Sequence, residues 1–181
     1  LMDLFVEVLE REFDNLQERG VRVRVAGHKG DLPDKTRAAF DRVESRTSAN
    51  SNMTLVVALN YGGRVEIVDA VRAIAQQVAA GELSPDAIAE ETMSAHLYTA
   101  GLPDPDLVIR TAGEMRLSNF LIWQAAYAEF YATPTYWPDF DRVELYKALE
   151  AYGARTRKFG GLPGGDPAAD SAATMATKGA S

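Results

Sequence analysis

The feature that most constrains this chain is an alternation. Short runs of β-branched and aliphatic residues are separated by longer stretches with helical periodicity. Leu4, Phe5, Val8, Leu9, Phe13 and Leu16 recur at helical spacing, which predicts a helix from Asp3 to Arg19 closed by Gly20. Val21, Val23 and Val25 then alternate with Arg22 and Arg24, a strand pattern. After a loop over 27–31, Pro33 opens a second helix that ends near Ser48; its fixed φ is harmless at a helix start. The run from Met53 to Leu59 has the composition of a strand buried on both faces. Asn60-Tyr-Gly-Gly-Arg64 is a turn, followed by a long helix whose apolar face is Ile67, Val68, Val71, Ile74, Ala75 and Val78, broken at Gly81.

The second half continues in the same manner. Ser84-Pro85-Asp86 starts another helix, with the serine as N-cap and the proline in the first turn. Leu102-Pro-Asp-Pro105 is a rigid loop, and Leu107-Val-Ile109 a short buried strand ending at Arg110. Ser118 opens a helix through Gln124 toward Glu129, and Phe130 to Thr133 form a last strand. Asp139 or Asp141 caps a terminal helix reaching about Lys158. From Gly160 the chain turns to Gly, Pro, Ala, Ser and Asp, which predicts a disordered tail over 162–181 behind one domain over 1–161. Strand and helix in alternation give an α/β class: a mostly parallel central sheet with helices on both faces.

Composition removes several function classes. The 181 residues include no cysteine, which excludes disulfides, thiolate catalysis and zinc–thiolate sites. The net charge of −7 argues against a non-specific nucleic-acid surface. His28 and His96 have no partner spacing for a metal and read as ordinary loop or surface residues.

In parallel sheets, ligands bind beyond the carboxyl ends of the strands. Two polar segments stand there. In Arg110-Thr-Ala-Gly-Glu-Met-Arg116-Leu-Ser118-Asn119, two arginines flank a glycine and a hydroxyl meets the start of the expected helix. Guanidinium forks, a hydroxyl and helix-start amides suit a diphosphate. A solvated loop in which Arg110 and Arg116 pair with Glu114 accounts for the same residues, and spacing alone leaves the two readings level. In Asn60–Arg64 the paired glycines permit a sharp turn or a close approach, and a tight turn with a satisfied asparagine explains them better than a ligand does. Glu129 could help to hold Mg²⁺, but that ion needs more than one oxygen ligand, and helix-end glutamates are usually solvated. Phe120, Leu121, Trp123, Ala126 and Tyr127 read as core.

Taken together, the segments resemble the cis-prenyltransferase (isoprenyl transferase, undecaprenyl diphosphate synthase) family. Asn60-Tyr-Gly-Gly-Arg64 with Glu66-Ile67 resembles one signature. Asp106 through Gln124, with Arg110, Glu114, Arg116, Ser118, Asn119, Phe120 and Trp123, resembles the most diagnostic one. Tyr127-Ala-Glu129, Trp137-Pro-Asp139-Phe140 and Arg155-Thr-Arg-Lys-Phe-Gly-Gly161 follow in the same order, so the resemblance runs from Leu1 to Gly161.

The resemblance implies condensation of isopentenyl diphosphate onto an allylic diphosphate such as farnesyl diphosphate, with Mg²⁺, in a homodimer. It implies that Arg110, Arg116 and Ser118 hold the isopentenyl diphosphate and that Glu129 contributes to the metal. Asn60 would lie at the reacting centre, with Glu114 and Trp123 in support. Met53, Leu55 and Val57 would line a tunnel for the growing chain. It implies a cytoplasmic enzyme with peripheral membrane contact through its lipid product. Nothing in the 181 residues matches the family's Asp-Gly-Asn-Gly-Arg-type loop for the allylic diphosphate, or its later Ser-Thr-Glu-Asn-type segment. The expectation is therefore a carboxyl-terminal two-thirds that lacks the amino-terminal strand and helices and holds half of the site. A non-catalytic scaffold subunit is the alternative.

Overall fold

The computed structural model describes residues 2–155. Its elements are α1 (Met2–Glu18), β1 (Val21–Ala26), α2 (Asp34–Arg46), β2 (Met53–Ala58), α3 (Gly63–Ala79), α4 (Glu90–His96), β3 (Leu107–Arg110), β4 (Glu129–Ala132) and α5 (Arg142–Gly153). The class is α/β with parallel strands, as the alternation predicts. The tail expected to be disordered, and the end of the last helix near Lys158, lie outside the described residues. The described chain forms two compact units: residues 2–108 with 114–130, and residues 109–113 with 131–155.

In the first unit, β1 and β2 pair in parallel from Val21↔Met53 to Ala26↔Ala58. One face of this ladder is closed by helices. Leu9 and Phe13 of α1, Phe40 and Val43 of α2, and Val23, Val25, Leu32 and Leu59 form the core, with Val57 packed against it. β1's outer edge is closed by side chains. Val23 N–H donates to Thr47 Oγ1 at 3.0 Å, and Val25 N–H to Glu44 Oε1 at 2.8 Å. Thr47 is fully buried and donates its own hydroxyl to Val43 O. Buried edge amides are thus satisfied without a further strand.

β2 corrects the expectation of a strand buried on both faces. Met53 is 55% exposed and Leu55 38%. β2 pairs with β1 on one edge and, among the described residues, with no strand on the other. An apolar run shows that a strand is suited to being covered, not what covers it. The tunnel candidates Met53, Leu55 and Val57 share one face of β2, the face of the α1–α2 core. An apolar cleft in this unit is lined by Val56 and Ala58 of the opposite face, with Tyr61, Leu102, Pro103, Phe120 and Gln124.

Three more expectations change. The face of α3 is rotated: Gly63, Glu66, Ala70 and Ile74 are buried, while Val68 and Val71 are about half exposed. Ser84 precedes only a 3-10 turn over Pro85–Ala87, without a side-chain cap, and α4 begins at Glu90. No α-helix runs from Ser118 to Glu129. Ser118, Asn119 and Leu121 have φ of 50°, 65° and 48°, so a right-handed helix cannot pass through them. The regular structure there is a 3-10 turn over Gln124–Tyr127, and Glu129 is the first residue of β4.

In the second unit, Thr133 N–H donates to Arg110 O, and the amides of Ala112 and Gly113 donate to Thr135 O and Thr133 O. Of the two candidate caps, Asp141 is the one used; it accepts from the Val143 and Glu144 amides at 2.9 and 3.0 Å. Glu144 in turn accepts from the Thr133 and Thr135 hydroxyls, each at 3.2 Å, fixing α5 on this loop.

Candidate functional site

The polar segments after β1 and β2 are fastened to each other. Asn60, with φ 48°, donates its side-chain amide to His28 O at 3.0 Å, and His28 N–H donates back to Asn60 O at 3.3 Å. This contact needs Gly27. Its φ is +134°, and a Cβ there would lie 1.9 Å from Leu59 O. Asn60 therefore has a structural partner, and its carboxamide borders a polar cleft with His28, Asp31, Asp69 and Asn119.

The segment Arg116–Asn119 is docked on the turn after β2. Asn119 O accepts from Gly63 N–H at 2.7 Å, and Asn119 Oδ1 accepts from Arg64 N–H at 2.9 Å. α3 has Gly62 as its N-cap with no side-chain cap of its own, so Asn119 performs that task from 55 residues away. The glycine pair follows from this contact. A Cβ on Gly62 would meet Asn119 Nδ2 at 2.9 Å, and one on Gly63 would meet Ile122 at 3.0 Å and Asn119 O at 3.2 Å. Of the two reasons for paired glycines, close approach is the one realised.

Beneath this joint lies Glu66, fully buried. Its carboxylate accepts from Tyr61 OH at 2.5 Å, from Tyr98 N–H at 2.8 Å and from Gln124 Nε2 at 3.1 Å. Gln124 also donates to Thr99 Oγ1 at 2.8 Å. Burial, and then the hydrogen bond to Glu66, push the Tyr61 hydroxyl above the usual tyrosine range. Burial and Asp69 do the same to Tyr98. Tyr61 also meets the edges of Phe120 and Tyr98, with ring centroids 5.6 and 6.2 Å apart.

The candidates fall into place around this frame. Arg116 and Ser118 are exposed on the docked loop, and Arg116 forms an ion pair with Glu114. That part of the solvated-loop reading is realised; one pairing leaves other guanidinium N–H groups for an anion. Trp123 donates Nε1–H to Ser94 Oγ at 3.2 Å, tying the loop to α4. Arg110 ends β3 and belongs to the second unit. The Glu129 amide donates to Asp106 O. Among the described residues no three His, Asp or Glu side chains come together as a metal site. A carboxylate is the right donor type for Mg²⁺, and Glu129 brings one.

Residues 1–160 match the family model described as putative undecaprenyl diphosphate synthase. The chain belongs to this family. An isoprenyl transferase of Heliobacterium mobile is 52% identical over 162 residues, covering 90% of this chain and 62% of the relative. One from Thermotoga maritima is 48% identical over 165 residues, covering 91% of this chain and 70% of the relative. This prenyltransferase-family chain thus spans under two thirds of the length of the Heliobacterium mobile protein.

Solved structures give the same fold. Lavandulyl diphosphate synthase from Lavandula x intermedia, in complex with dimethylallyl diphosphate, superimposes with a TM-score of 0.85 at 40% identity, over 88% of this chain and 70% of that one. A probable undecaprenyl diphosphate synthase from Campylobacter jejuni gives 0.74 at 31% identity, over 88% and 72%.

Asn119, Glu66 and Gln124 stand within the segments singled out on sequence but were given no role there. Glu66 was detectable in principle, because it shares a stripe with Ala70 and Ile74 at helical spacing. Nothing local marks Asn119, whose partners lie 55 residues away.

Proposed function

We propose that this chain carries the isopentenyl diphosphate half of a cis-prenyl chain-elongating site, with Arg116 and Ser118 of the first unit holding the diphosphate. The observation that supports it best is the docking of the Arg116–Asn119 loop on the start of α3. A guanidinium and a hydroxyl two residues apart stand exposed on a loop fastened at its base. Arginine forks suit phosphate oxygens, and a held nucleophile reacts at high effective concentration.

In the proposed reaction an allylic diphosphate, such as farnesyl diphosphate, breaks its C–O bond and releases diphosphate. The terminal double bond of isopentenyl diphosphate forms the new carbon–carbon bond to the allylic carbon. A proton is then lost from the neighbouring carbon, leaving a cis double bond. The dimethylallyl diphosphate held by the lavender enzyme supports an allylic diphosphate as the partner class. Asn60 borders the cleft beside the loop and is the proposed neighbour of the reacting carbons. Mg²⁺ enters this proposal as a counter-ion for phosphate, with Glu129 giving one oxygen. Glu114 and Trp123 steady Arg116 and the loop. The polyprenyl product would bring peripheral membrane contact; no helix among the described residues is long and apolar enough to cross a membrane.

Calorimetry of the 181-residue chain with isopentenyl diphosphate tests this reading. Binding is expected, and Arg116→Ala should weaken it about 10- to 100-fold, the worth of a charge-assisted hydrogen bond. With farnesyl diphosphate, isopentenyl diphosphate and Mg²⁺, the chain alone should give no polyprenyl product, because no Asp-Gly-Asn-Gly-Arg-type loop occurs in it. Long product would overturn the half-site. Absent binding, with capture of a catalytic prenyltransferase chain, would favour the scaffold subunit.

A further inference from the structure

We propose that Asn119 is a positioning residue that aims Ser118 by capping α3 from a distant loop, an inference that rests on the proposed role of Ser118. Ser118 and Asn119 have φ of 50° and 65°, the left-handed region that non-glycine residues enter at a cost. Strained backbone persists where surrounding contacts over-determine it. The contacts here are two: Asn119 O takes the Gly63 amide at 2.7 Å and Asn119 Oδ1 takes the Arg64 amide at 2.9 Å. Both amides are first-turn donors of α3, which its own turns cannot satisfy.

Two consequences follow. The Gly63 and Arg64 amides, being occupied, are not open to an anion; on the docked loop the Ser118 hydroxyl and the Arg116 guanidinium are. The backbone at Ser118, one residue from the cap, is also held by these contacts, so the direction of its Cα–Cβ bond is set before any ligand arrives. Asparagine suits the position because its short amide supplies the acceptor and tolerates positive φ.

The test separates the cap from the strain. Asn119→Gly keeps the left-handed backbone at no steric cost and removes the Oδ1 acceptor. Asn119→Asp keeps an acceptor. Hydrogen exchange of the Gly63 and Arg64 amides is read first. Arg64 exchange should rise at least tenfold in Asn119→Gly and return near wild type in Asn119→Asp. Calorimetry with isopentenyl diphosphate is read second, and Asn119→Gly should bind about tenfold more weakly. Val43→Ala, a core change in α2, is the stability control, and it should lower the unfolding midpoint without moving the dissociation constant.

Unchanged exchange in Asn119→Gly overturns the cap. Raised exchange with an unchanged dissociation constant overturns the positioning role and leaves a structural cap. A wild-type chain that binds no isopentenyl diphosphate removes the role of Ser118, and the positioning role with it, while the exchange measurement still decides the cap.

Discussion

Gln124 donates its side-chain amide to both carboxylate oxygens of Glu66, each at 3.1 Å, across 58 residues of sequence. Both residues are buried. This pair and the Asn119 cap hold the same two segments together, the turn into α3 and the loop after β3. One contact is buried, the other lies at the surface.

Removal of Glu66 should therefore be costly. Glu66→Ala removes the acceptor of Tyr61 OH and of the Tyr98 amide, both part-buried, and leaves the Gln124 amide with Thr99 alone. Each stranded donor costs about 1–3 kcal/mol, so a loss of roughly 2 kcal/mol or more is expected. Glu66→Gln keeps one acceptor oxygen and should lose less. Urea unfolding midpoints with unchanged slope would measure both; a loss below about 1 kcal/mol for the alanine variant would remove Glu66 from this role.

Gly27→Ala should be poorly tolerated for a backbone reason. The new methyl would lie 1.9 Å from Leu59 O in a φ region that side chains avoid. Backbone strain alone is worth about 1–3 kcal/mol, and relief of the clash must move Leu59 and the Asn60–His28 contact. A lower thermal midpoint with faster exchange at the His28 amide is expected. An unchanged midpoint would show that the loop has room that this geometry denies.

Alkali should unfold the first unit as its tyrosines ionise. The hydroxyls of Tyr61 and Tyr98 are raised by burial and then by their carboxylate partners. A raised folded-state value means that the stability is fully present below the ordinary tyrosine range near pH 10 and is lost as pH climbs above it. Of the seven tyrosines, these two should ionise only together with loss of helical signal. Absorbance at alkaline pH of the wild type beside Tyr61→Phe and Tyr98→Phe, followed with circular dichroism, would settle it; ionisation of these two near pH 10 with structure intact would contradict the expectation.

α5 carries Val143, Tyr146 and Leu149 at 58%, 61% and 46% exposure on successive turns. An apolar face of this kind is a candidate contact for the homodimer that the family resemblance implies. Sedimentation at tens of micromolar should give a dimer for the chain, and Tyr146→Glu should shift it toward monomer. A wild-type monomer, or a Tyr146→Glu dimer of equal strength, would exclude this face.

The alternation of strand and helix patterns was enough for the α/β class and for α1, β1 and α2 within two residues, and the signature segments carried the resemblance to the family, because each of these is encoded by neighbours along the chain. The polar loops after β2 and β3 were also visible as candidates, since their residue types stand side by side in sequence. What the loops do with those residues was not. Asn119 blocks the helix expected at Ser118 because its carbonyl and amide are drawn to the start of α3. Glu66 turns α3 by one face because its partners, Tyr98 and Gln124, come from distant segments. The exposure of β2 likewise depends on which strands flank it. Local periodicity and side-chain type are properties of the chain; the partner of a buried polar group is chosen only when distant segments meet, and that choice belongs to the tertiary structure.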